Sequence, residues 1–409
     1  MSRWCAPLSN DDLYIGREQT LVKHIILKHY LERFAIIVGW HWDTLTYVDC
    51  FSGPWNVQSD DFKDSSFAIA IEQLRKARDV HKKRTGKTLK LRCFFLEKTP
   101  SAYTKLKQFA DQITDVIIET KNKKLEDAIQ DILKFAQEGG PTSFPFIFID
   151  PTGWSGFALD PITPLLKLNP GEVLITFMTE HIRRFIEWPQ KQNQESFIKL
   201  FGSSQFKDTL KGLEEKDRED AIVTAYSECV KRVGAFGYTS SAIVLHPEKN
   251  RTHFHLIYAT RDNKGIKVFK EAENRAMSVM EKQRGEAQKR EREERTGQTE
   301  IRLFSGTVTQ DPSEYFRSLR ERYVSSARAA VLALLQTKKQ LAYDDAWSSA
   351  MTFPLTWESD LKYWIRDWEL VGQLIIMGMK KRQHVPQLGK NNCLVWKESS
   401  TPSSKGQPS

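Results

Sequence analysis

Cysteine is scarce in this 409-residue sequence, and the five cysteines are far apart. None belongs to a CxxC pair, which argues against a disulfide framework and against a zinc or iron–sulfur site and fits a reducing cytoplasm. No apolar run reaches the ~18 residues of a transmembrane helix. The first residues, MSRWCAPLSNDD, lack the apolar core of a signal peptide. We therefore expect a cytoplasmic protein that is neither secreted nor embedded in a membrane.

Two further features are missing or weak. No GxxxxGK[ST] phosphate-binding loop occurs in the chain. Neither sign of charge dominates, since 61 Lys and Arg residues stand against 52 Asp and Glu residues, for a net charge of +9. This moderate excess permits an anionic partner such as nucleic acid and does not require one. With 40% hydrophobic residues, the chain is long enough for two or three domains.

Short apolar strands alternate with helical patterns over residues 1–270. After an amphipathic helix at 20–38, the predicted parallel strands are 45–51, 89–97, 115–119, 144–150 and 171–178. The intervening helical segments of ten or more residues predict βαβ units and a parallel sheet covered on both faces. A hairpin predicted at 239–261 adds an antiparallel edge strand. This order predicts a doubly wound α/β fold, class I methyltransferase-like, with a helical insertion at about 182–235.

The remaining residues divide into three segments. Residues 271–310 are dense in charges of both signs and predict a solvated helical linker. Residues 311–398 predict three helices and then two strands around the polar loop KKRQHVPQLGKN, which is the order of a winged-helix-like α+β domain. The polar residues 399–409 predict a disordered tail.

Acidic residues end three of the predicted parallel strands. In doubly wound folds the ligand lies beyond the carboxyl ends of the strands, where the strand order reverses. Asp49, Glu97 and Asp150 occupy such positions. A carboxylate after the second strand can accept two ribose hydroxyls, and a glycine such as Gly53 lets the backbone approach a nucleoside. Taken singly, a strand-ending acid is more often a helix cap or a solvated loop residue, but three acids at successive parallel-strand ends favour a nucleotide-like site.

The segment FIDPTGW has two interpretations. Asp150 and a backbone carbonyl can accept hydrogen bonds from an amine while Trp154 stacks on the base that carries it. Alternatively, Pro151 and Gly153 form a turn and Trp154 only covers the edge of the sheet.

Several motifs resemble the three-Cys-motif partner family, TcmP, over about residues 15–275 and more loosely in the C-terminal part. They are KHIILKHYLERF, YVDCFSGP, FFLEK, FIDPTGWSGF, TFMTEHIRRFI, LFG and HFHLIYATRDNKGIKVFK. That family is similar to class I S-adenosylmethionine-dependent methyltransferases and is named for its pairing with a separate protein that carries a three-cysteine motif. The resemblance implies S-adenosylmethionine as the cofactor and a three-cysteine-motif protein as a partner.

The resemblance also implies roles for the matched residues. Glu97 is the ligand of the adenosine ribose. The cofactor loop comprises Asp49, Phe51, Gly53 and Pro54, and the reaction-side motif comprises Asp150, Pro151, Gly153 and Trp154.

This chain departs from the family pattern in the cofactor loop. The family turn continues Gly-Pro-Gly where this chain has Gly53-Pro54-Trp55, and Asp64-Ser65-Ser66 stands where the family has DGS. A tryptophan adds a large side chain and disfavours positive φ. Either Trp55 caps the adenosine or a substrate base, or it fills the pocket so that the fold persists without methyl transfer. Plain packing of Trp55 is a third possibility.

Two other groups of residues are candidates for binding. The predicted helix at 356–372 carries four acidic residues, an unfavourable face for phosphates. The nucleic-acid candidates are therefore the basic residues of the following loop, Lys380, Lys381, Arg382 and Lys390. His253 and His255 share one face of a predicted strand, but no third metal ligand is near them in the sequence, so we interpret both as structural and predict no metal.

Two functions follow from these patterns. The first is an S-adenosylmethionine-binding, methyltransferase-like protein that acts on nucleic acid presented by the winged-helix-like domain, with Asp150 orienting an amine and Trp154 stacking on its base. The alternative is a catalytically degenerate methyltransferase fold that serves as a binding module for nucleic acid or a partner protein.

Overall fold

The computed structural model describes residues 12–54, 57–153, 156–186, 190–297 and 313–397. The chain forms two compact units, Met1–Ser313 and Glu314–Ser409. The predicted tail at 399–409 and both Trp55 and Trp154 lie outside the described residues. Across the described ranges, no helix combines the length and apolar character needed to cross a membrane.

The first unit contains a seven-stranded, mostly parallel sheet. Its strands are β1 (Thr44–Asp49), β2 (Lys90–Leu96), β3 (Ile117–Lys121), β4 (Ser143–Ile149), β5 (Glu172–Phe177), β6 (Tyr238–Leu245) and β7 (Thr252–Thr260). The spatial order is β3-β2-β1-β4-β5-β7-β6, and β7 is antiparallel to both of its neighbours. The predicted doubly wound, methyltransferase-like sheet is confirmed. Because the order reverses between β1 and β4, the ligand-binding edge lies where these two strands end.

Helices cover both faces of this sheet. They are α1 (Glu18–Val38), α2 (Ser66–Thr85), α3 (Pro100–Asp111), α4 (Leu125–Gln137), α5 (Leu159–Leu166), α6 (Thr179–Phe185), α7 (Lys191–Phe201), α8 (Phe206–Leu210), α9 (Glu215–Gly234) and α10 (Asn263–Thr296). Successive strand residues point to opposite faces. Phe94 packs on Phe135 of α4 with ring centroids 5.4 Å apart, and the next residue, Phe95, packs on Phe67 of α2 at 5.9 Å.

The predicted helical insertion is the connection between β5 and β6. It contributes to the core, since Tyr226 of α9 stacks on Phe177 of β5 with ring centroids 4.5 Å apart. Its helices therefore help to close one face of the sheet.

The charged segment after residue 270 differs from the solvated linker that the sequence predicts. Helix α10 runs along α1 and β6, and Ala276, Met277 and Met280 are buried there. Lys270 and Glu273 form an ion pair that is also buried. Small and flexible apolar residues at helical spacing form a narrow apolar stripe on α10. This stripe is difficult to recognise in the sequence because most of the neighbouring residues are charged. The first unit thus continues past residue 270 and includes α10.

The second unit consists of three helices and a small antiparallel sheet. Its elements are α11 (Glu314–Lys338), β8 (Gln340–Ala342), α12 (Tyr343–Met351), α13 (Glu358–Leu370), β9 (Leu374–Met377) and β10 (Cys393–Trp396). The sheet order is β8-β10-β9. The three-residue strand β8 is too short to be recognised in the sequence. Trp347, Trp364 and Trp368 are buried and form much of the core.

Candidate functional site

A cleft of about 1000 Å³ opens at the carboxyl edge of the parallel strands in the first unit. The start of α1 and the segments that follow β1, β2, β3 and β4 form its walls. Six of the sequence-predicted site residues line it, namely Phe51, Gly53, Glu97, Asp150, Pro151 and Gly153. The structure therefore brings together residues from three strand ends that are up to about one hundred positions apart in the chain.

Asp49 lies below the cleft rather than in its wall. Its carboxylate is fully buried and accepts hydrogen bonds from the Phe51 amide at 3.1 Å and from the Ser66 hydroxyl at 2.6 Å. Burial raises the pKa of Asp49 to about 6, and these two hydrogen bonds oppose the rise. Asp49 thus shapes the turn that carries Gly53. Its predicted role in cofactor binding stays a prediction.

The two serines at the departure from the DGS pattern have their own contacts. Ser66 bonds Asp49, as above, and the Ser65 hydroxyl accepts the Ala68 amide at 3.3 Å as the N-cap of α2. Both residues also line the cleft. Ser65, which stands at the glycine of DGS, therefore supplies a side-chain cap to α2 that glycine cannot.

Asp64 holds the segment after Gly53 in place. Its side chain is completely buried and is ion-paired with Arg17. It also accepts the Gln58 amide at 2.9 Å and the Ser59 amide at 3.2 Å. Pro54 is described but does not line the cleft, and its predicted role in the cofactor loop stays a prediction.

Glu97 has a fixed position at the end of β2. Its Oε1 accepts the Thr99 amide at 2.6 Å, and its backbone oxygen accepts the Asn122 side chain at 2.7 Å. The residue is 4% exposed and lines the cleft beside Leu96 and Leu125. A buried carboxylate next to apolar side chains provides a hydroxyl acceptor beside a surface for a planar base.

Asp150 has a cationic partner that the sequence interpretation missed. Lys23 Nζ lies 2.5 Å from Asp150 Oδ2, and both side chains are largely buried. Lys23 belongs to α1, and 127 positions separate the pair. The available signal was a lysine one helical turn before the fully buried Leu27, which puts a charge on the apolar side of the helix. One oxygen of Asp150 is thus already engaged.

Two histidines complete the wall of the cleft. Tyr14 Oη and His24 Nδ1 are 2.9 Å apart, and burial lowers the pKa of His24 well below its usual value, so this ring is neutral at pH 7. Burial also lowers the pKa of His181 at the start of α6. Neither histidine was predicted as a site residue, because nothing in the sequence relates them to the strand ends.

His253 and His255, which the sequence interpretation treats as structural, each have a side-chain partner in the first unit. Nδ1 of His253 lies 2.7 Å from Glu180 Oε2, and Nδ1 of His255 lies 2.7 Å from Thr179 Oγ1. Within the part of the chain that the structure describes, no three metal-ligating side chains form a group.

A second cavity, of about 210 Å³, lies at the opposite edge of the sheet. Glu172 at its wall is buried, and burial raises the pKa of this carboxyl. Tyr30 and Thr260 donate to its two oxygens at 2.5 and 2.7 Å. Because these donors satisfy the carboxylate and the strands begin rather than end here, the larger cleft is the better candidate site.

The four predicted nucleic-acid residues lie in the second unit. Lys380, Lys381, Arg382 and Lys390 are all exposed, on the loop that joins β9 to β10. We refer to residues 378–392 as the wing.

Comparisons with known proteins leave this site without an assigned family. No protein-family model matches the chain, and no curated protein is similar to it. Among solved structures, a DUF519 protein of Legionella pneumophila is 12% identical, covers 63% of this chain and 92% of its own, and has a TM-score of 0.35. Loganic acid methyltransferase with S-adenosylhomocysteine is 9% identical, covers 72% of this chain and 93% of its own, and has a TM-score of 0.30. At these scores the likeness is too distant to carry functional information.

Proposed function

We propose that the first unit binds S-adenosylmethionine and that the chain is a methyltransferase-like protein acting on nucleic acid. The observation that carries the proposal is the convergence of Gly53, Glu97 and Asp150 on one cleft at the point where the strand order reverses. A cleft of about 1000 Å³ is large enough for a nucleoside cofactor.

The residues of the cleft fit the chemistry of this cofactor. Glu97 would accept the ribose hydroxyls, and Leu96 and Leu125 would contact the adenine ring. The turn from Phe51 to Gly53, held from below by Asp49, would approach the methionine portion. When bound, the cofactor would supply a methyl group on a sulfonium, so the protein mainly has to hold the acceptor in line with it.

The acceptor would lie beside Asp150 and Pro151. Lys23 fixes one carboxylate oxygen of Asp150, which leaves the other oxygen and the backbone carbonyls of this segment to receive an amine. A base with an exocyclic amine meets that requirement, and in a duplex it has to be flipped out first. Trp154, which lies outside the described residues, keeps its proposed role of stacking on that base.

A second candidate function is a degenerate fold that binds nucleic acid or a partner such as a three-cysteine-motif protein. The Lys23–Asp150 ion pair favours it, because the salt bridge engages one oxygen of the carboxylate that would orient the acceptor. Trp55 after Gly53-Pro54 points in the same direction.

Isothermal titration calorimetry with S-adenosylmethionine and S-adenosylhomocysteine tests the proposal. We expect binding to the wild type and a loss of about tenfold to a hundredfold in affinity for Glu97→Ala, because a charged hydrogen-bond acceptor is removed. Glu119→Ala is the matched control, since Glu119 is a partly exposed carboxylate on β3. Absence of heat with both nucleosides contradicts the proposal. Binding without transfer of radiolabel to DNA or RNA supports the degenerate fold.

A further inference from the structure

Two of the four acidic residues of α13, Asp360 and Asp367, are paired with arginines of α11. Asp360 accepts Arg320 Nη2 at 2.8 and 3.0 Å, and Asp367 is ion-paired with Arg328. Each of these arginines also lies over a tryptophan ring, at 4.4 Å for Arg320 and 5.6 Å for Arg328. Two of the four acidic residues that make this helix an unfavourable partner for phosphates are therefore neutralised by α11.

The outward face of α13 has a different composition. Ser359, Tyr363, Arg366 and Leu370 are exposed and follow one another at steps of three or four, so they form one stripe. Tyr363 is 67% exposed. Glu369 is also exposed, in the last turn of the helix. The first three turns thus present a hydroxyl, a phenol and a guanidinium to solvent.

The wing has a definite shape built by its own side chains. Asn392, which is 2% exposed, accepts Gln383 Nε2 at 2.7 Å and the Gln387 amide at 2.9 Å, and donates to the Gly378 carbonyl at 2.9 Å. From α12, Asp344 accepts the Gly389 amide at 3.1 Å. These bonds fix a loop on which Lys380, Lys381, Arg382 and Lys390 remain exposed.

Arg382 is held in a backbone conformation that arginine disfavours. Its φ is +75°, in the left-handed region where glycine is the usual residue. A glycine at this position would relieve the backbone and remove the charge in one change, which makes Arg382 useful for an experiment.

The charge of the second unit is basic. Residues 314–397 contain 13 Lys and Arg against 8 Asp and Glu, and two of those acids are the ones paired with α11. Such an excess favours an anionic partner.

We propose that the outward face of α13 and the wing together bind duplex DNA. Helix α13 would enter the major groove with Tyr363 and Arg366 towards the base edges, and the wing lysines would contact phosphates. The partner is DNA rather than duplex RNA, because the major groove of B-form DNA admits a helix whereas that of A-form RNA is too narrow and deep. The inference deepens the proposed function by naming its nucleic acid, but DNA binding here does not require the cofactor.

Fluorescence anisotropy of the full chain tests this surface. The probes are a duplex DNA of about two helical turns, the duplex RNA of the same sequence and one DNA strand alone. We expect at least about tenfold tighter binding to duplex DNA and a loss of about fivefold to a hundredfold for Arg366→Ala. Replacing Lys380 and Lys381 by alanine lowers the slope of log affinity against log salt by about two.

The controls separate loss of contact from loss of fold. Arg317→Ala removes an exposed charge from α11 and leaves the affinity unchanged. Arg382→Gly weakens binding while the melting temperature stays the same or rises, because the left-handed backbone is relieved.

Three results overturn the proposal. One is equal or tighter binding of duplex RNA or of the single strand, and another is an affinity that Arg366→Ala leaves unchanged. The third is no DNA binding, with self-association in sedimentation that Tyr363→Ser abolishes, which would make the face a protein interface. Calorimetry with S-adenosylhomocysteine on the same preparation distinguishes the two proposals. Binding of this nucleoside would support the proposed cofactor site even if the protein does not bind DNA.

Discussion

At the scale of single residues, three carboxylates end neighbouring strands of the first unit, and each is held differently. Asp49 is buried beneath a turn, Glu97 accepts a backbone amide, and Asp150 is paired with Lys23. These environments suit different tasks, since a buried carboxylate can position a loop whereas one in the cleft wall can contact a ligand.

Asp49 makes stability depend on pH. Its pKa is about 6 in the folded protein and about 4 in an unfolded chain, so the folded state binds this proton more tightly. The contribution of Asp49 to stability is therefore largest below pH ~4 and is lost as the pH rises through 6. We expect Asp49→Asn to remove this loss, so that its stability relative to the wild type rises by about 2 kcal/mol between pH 4 and 7.

Urea denaturation at several pH values measures this effect. Asp160→Asn, at an exposed carboxylate in the first turn of α5, serves as the control. A constant difference between Asp49→Asn and the wild type across this range would show that the carboxyl of Asp49 titrates normally.

Asp64 is expected to stabilise the conformation of the loop that follows Gly53. Asp64→Ala leaves the largely buried Arg17 without its partner and frees two backbone amides, so we expect a loss of about 3–5 kcal/mol in unfolding free energy. The control is Asp61→Ala in the same loop, where the pair with Lys63 is exposed and little change is expected. Similar losses for the two variants in chemical denaturation would refute the anchoring role.

At the scale of elements, the sequence predicts most strands and helices but not every contact between them. Alternating apolar runs and helical periods are local signals, and they predict the strands β1 to β7 in the order in which these occur along the chain. The Lys23–Asp150 and Arg17–Asp64 pairs join residues far apart in the chain, and no local pattern encodes such a pairing. The burial of α10 could not be predicted for a related reason. Its apolar stripe is narrow, and the residues of α1 on which it packs are far away in the sequence.

The packing of α10 makes a prediction that distinguishes a core helix from a solvated one. Met280 is 1% exposed, and Met280→Ala is expected to lower the unfolding free energy by about 2–4 kcal/mol because it leaves a cavity. Asn274→Ala, at an exposed position of the same helix, should change it by less than about 0.5 kcal/mol. If urea denaturation shows equally small changes in unfolding free energy for the two variants, α10 is a solvated linker and not part of the core.

At the scale of the whole molecule, the chain has two compact units with different surfaces. The first unit carries a cleft lined by acidic, basic and apolar residues, and the second carries an exposed basic wing. The strand-end carboxylates and the wing could be located from the sequence because turn residues and charge runs are local. The outward stripe of α13 could not, because the sequence does not show that Asp360 and Asp367 are neutralised by α11.

The central claim is that a nucleoside cofactor occupies the cleft at the carboxyl edge of the sheet. Hydrogen-exchange mass spectrometry with and without S-adenosylhomocysteine tests it most directly, because it reports where the ligand is bound. We expect slower exchange in peptides that cover 49–54, 96–99 and 122–126, which follow β1, β2 and β3. Unchanged exchange throughout the first unit, or protection confined to the opposite edge of the sheet around Glu172, would contradict the claim.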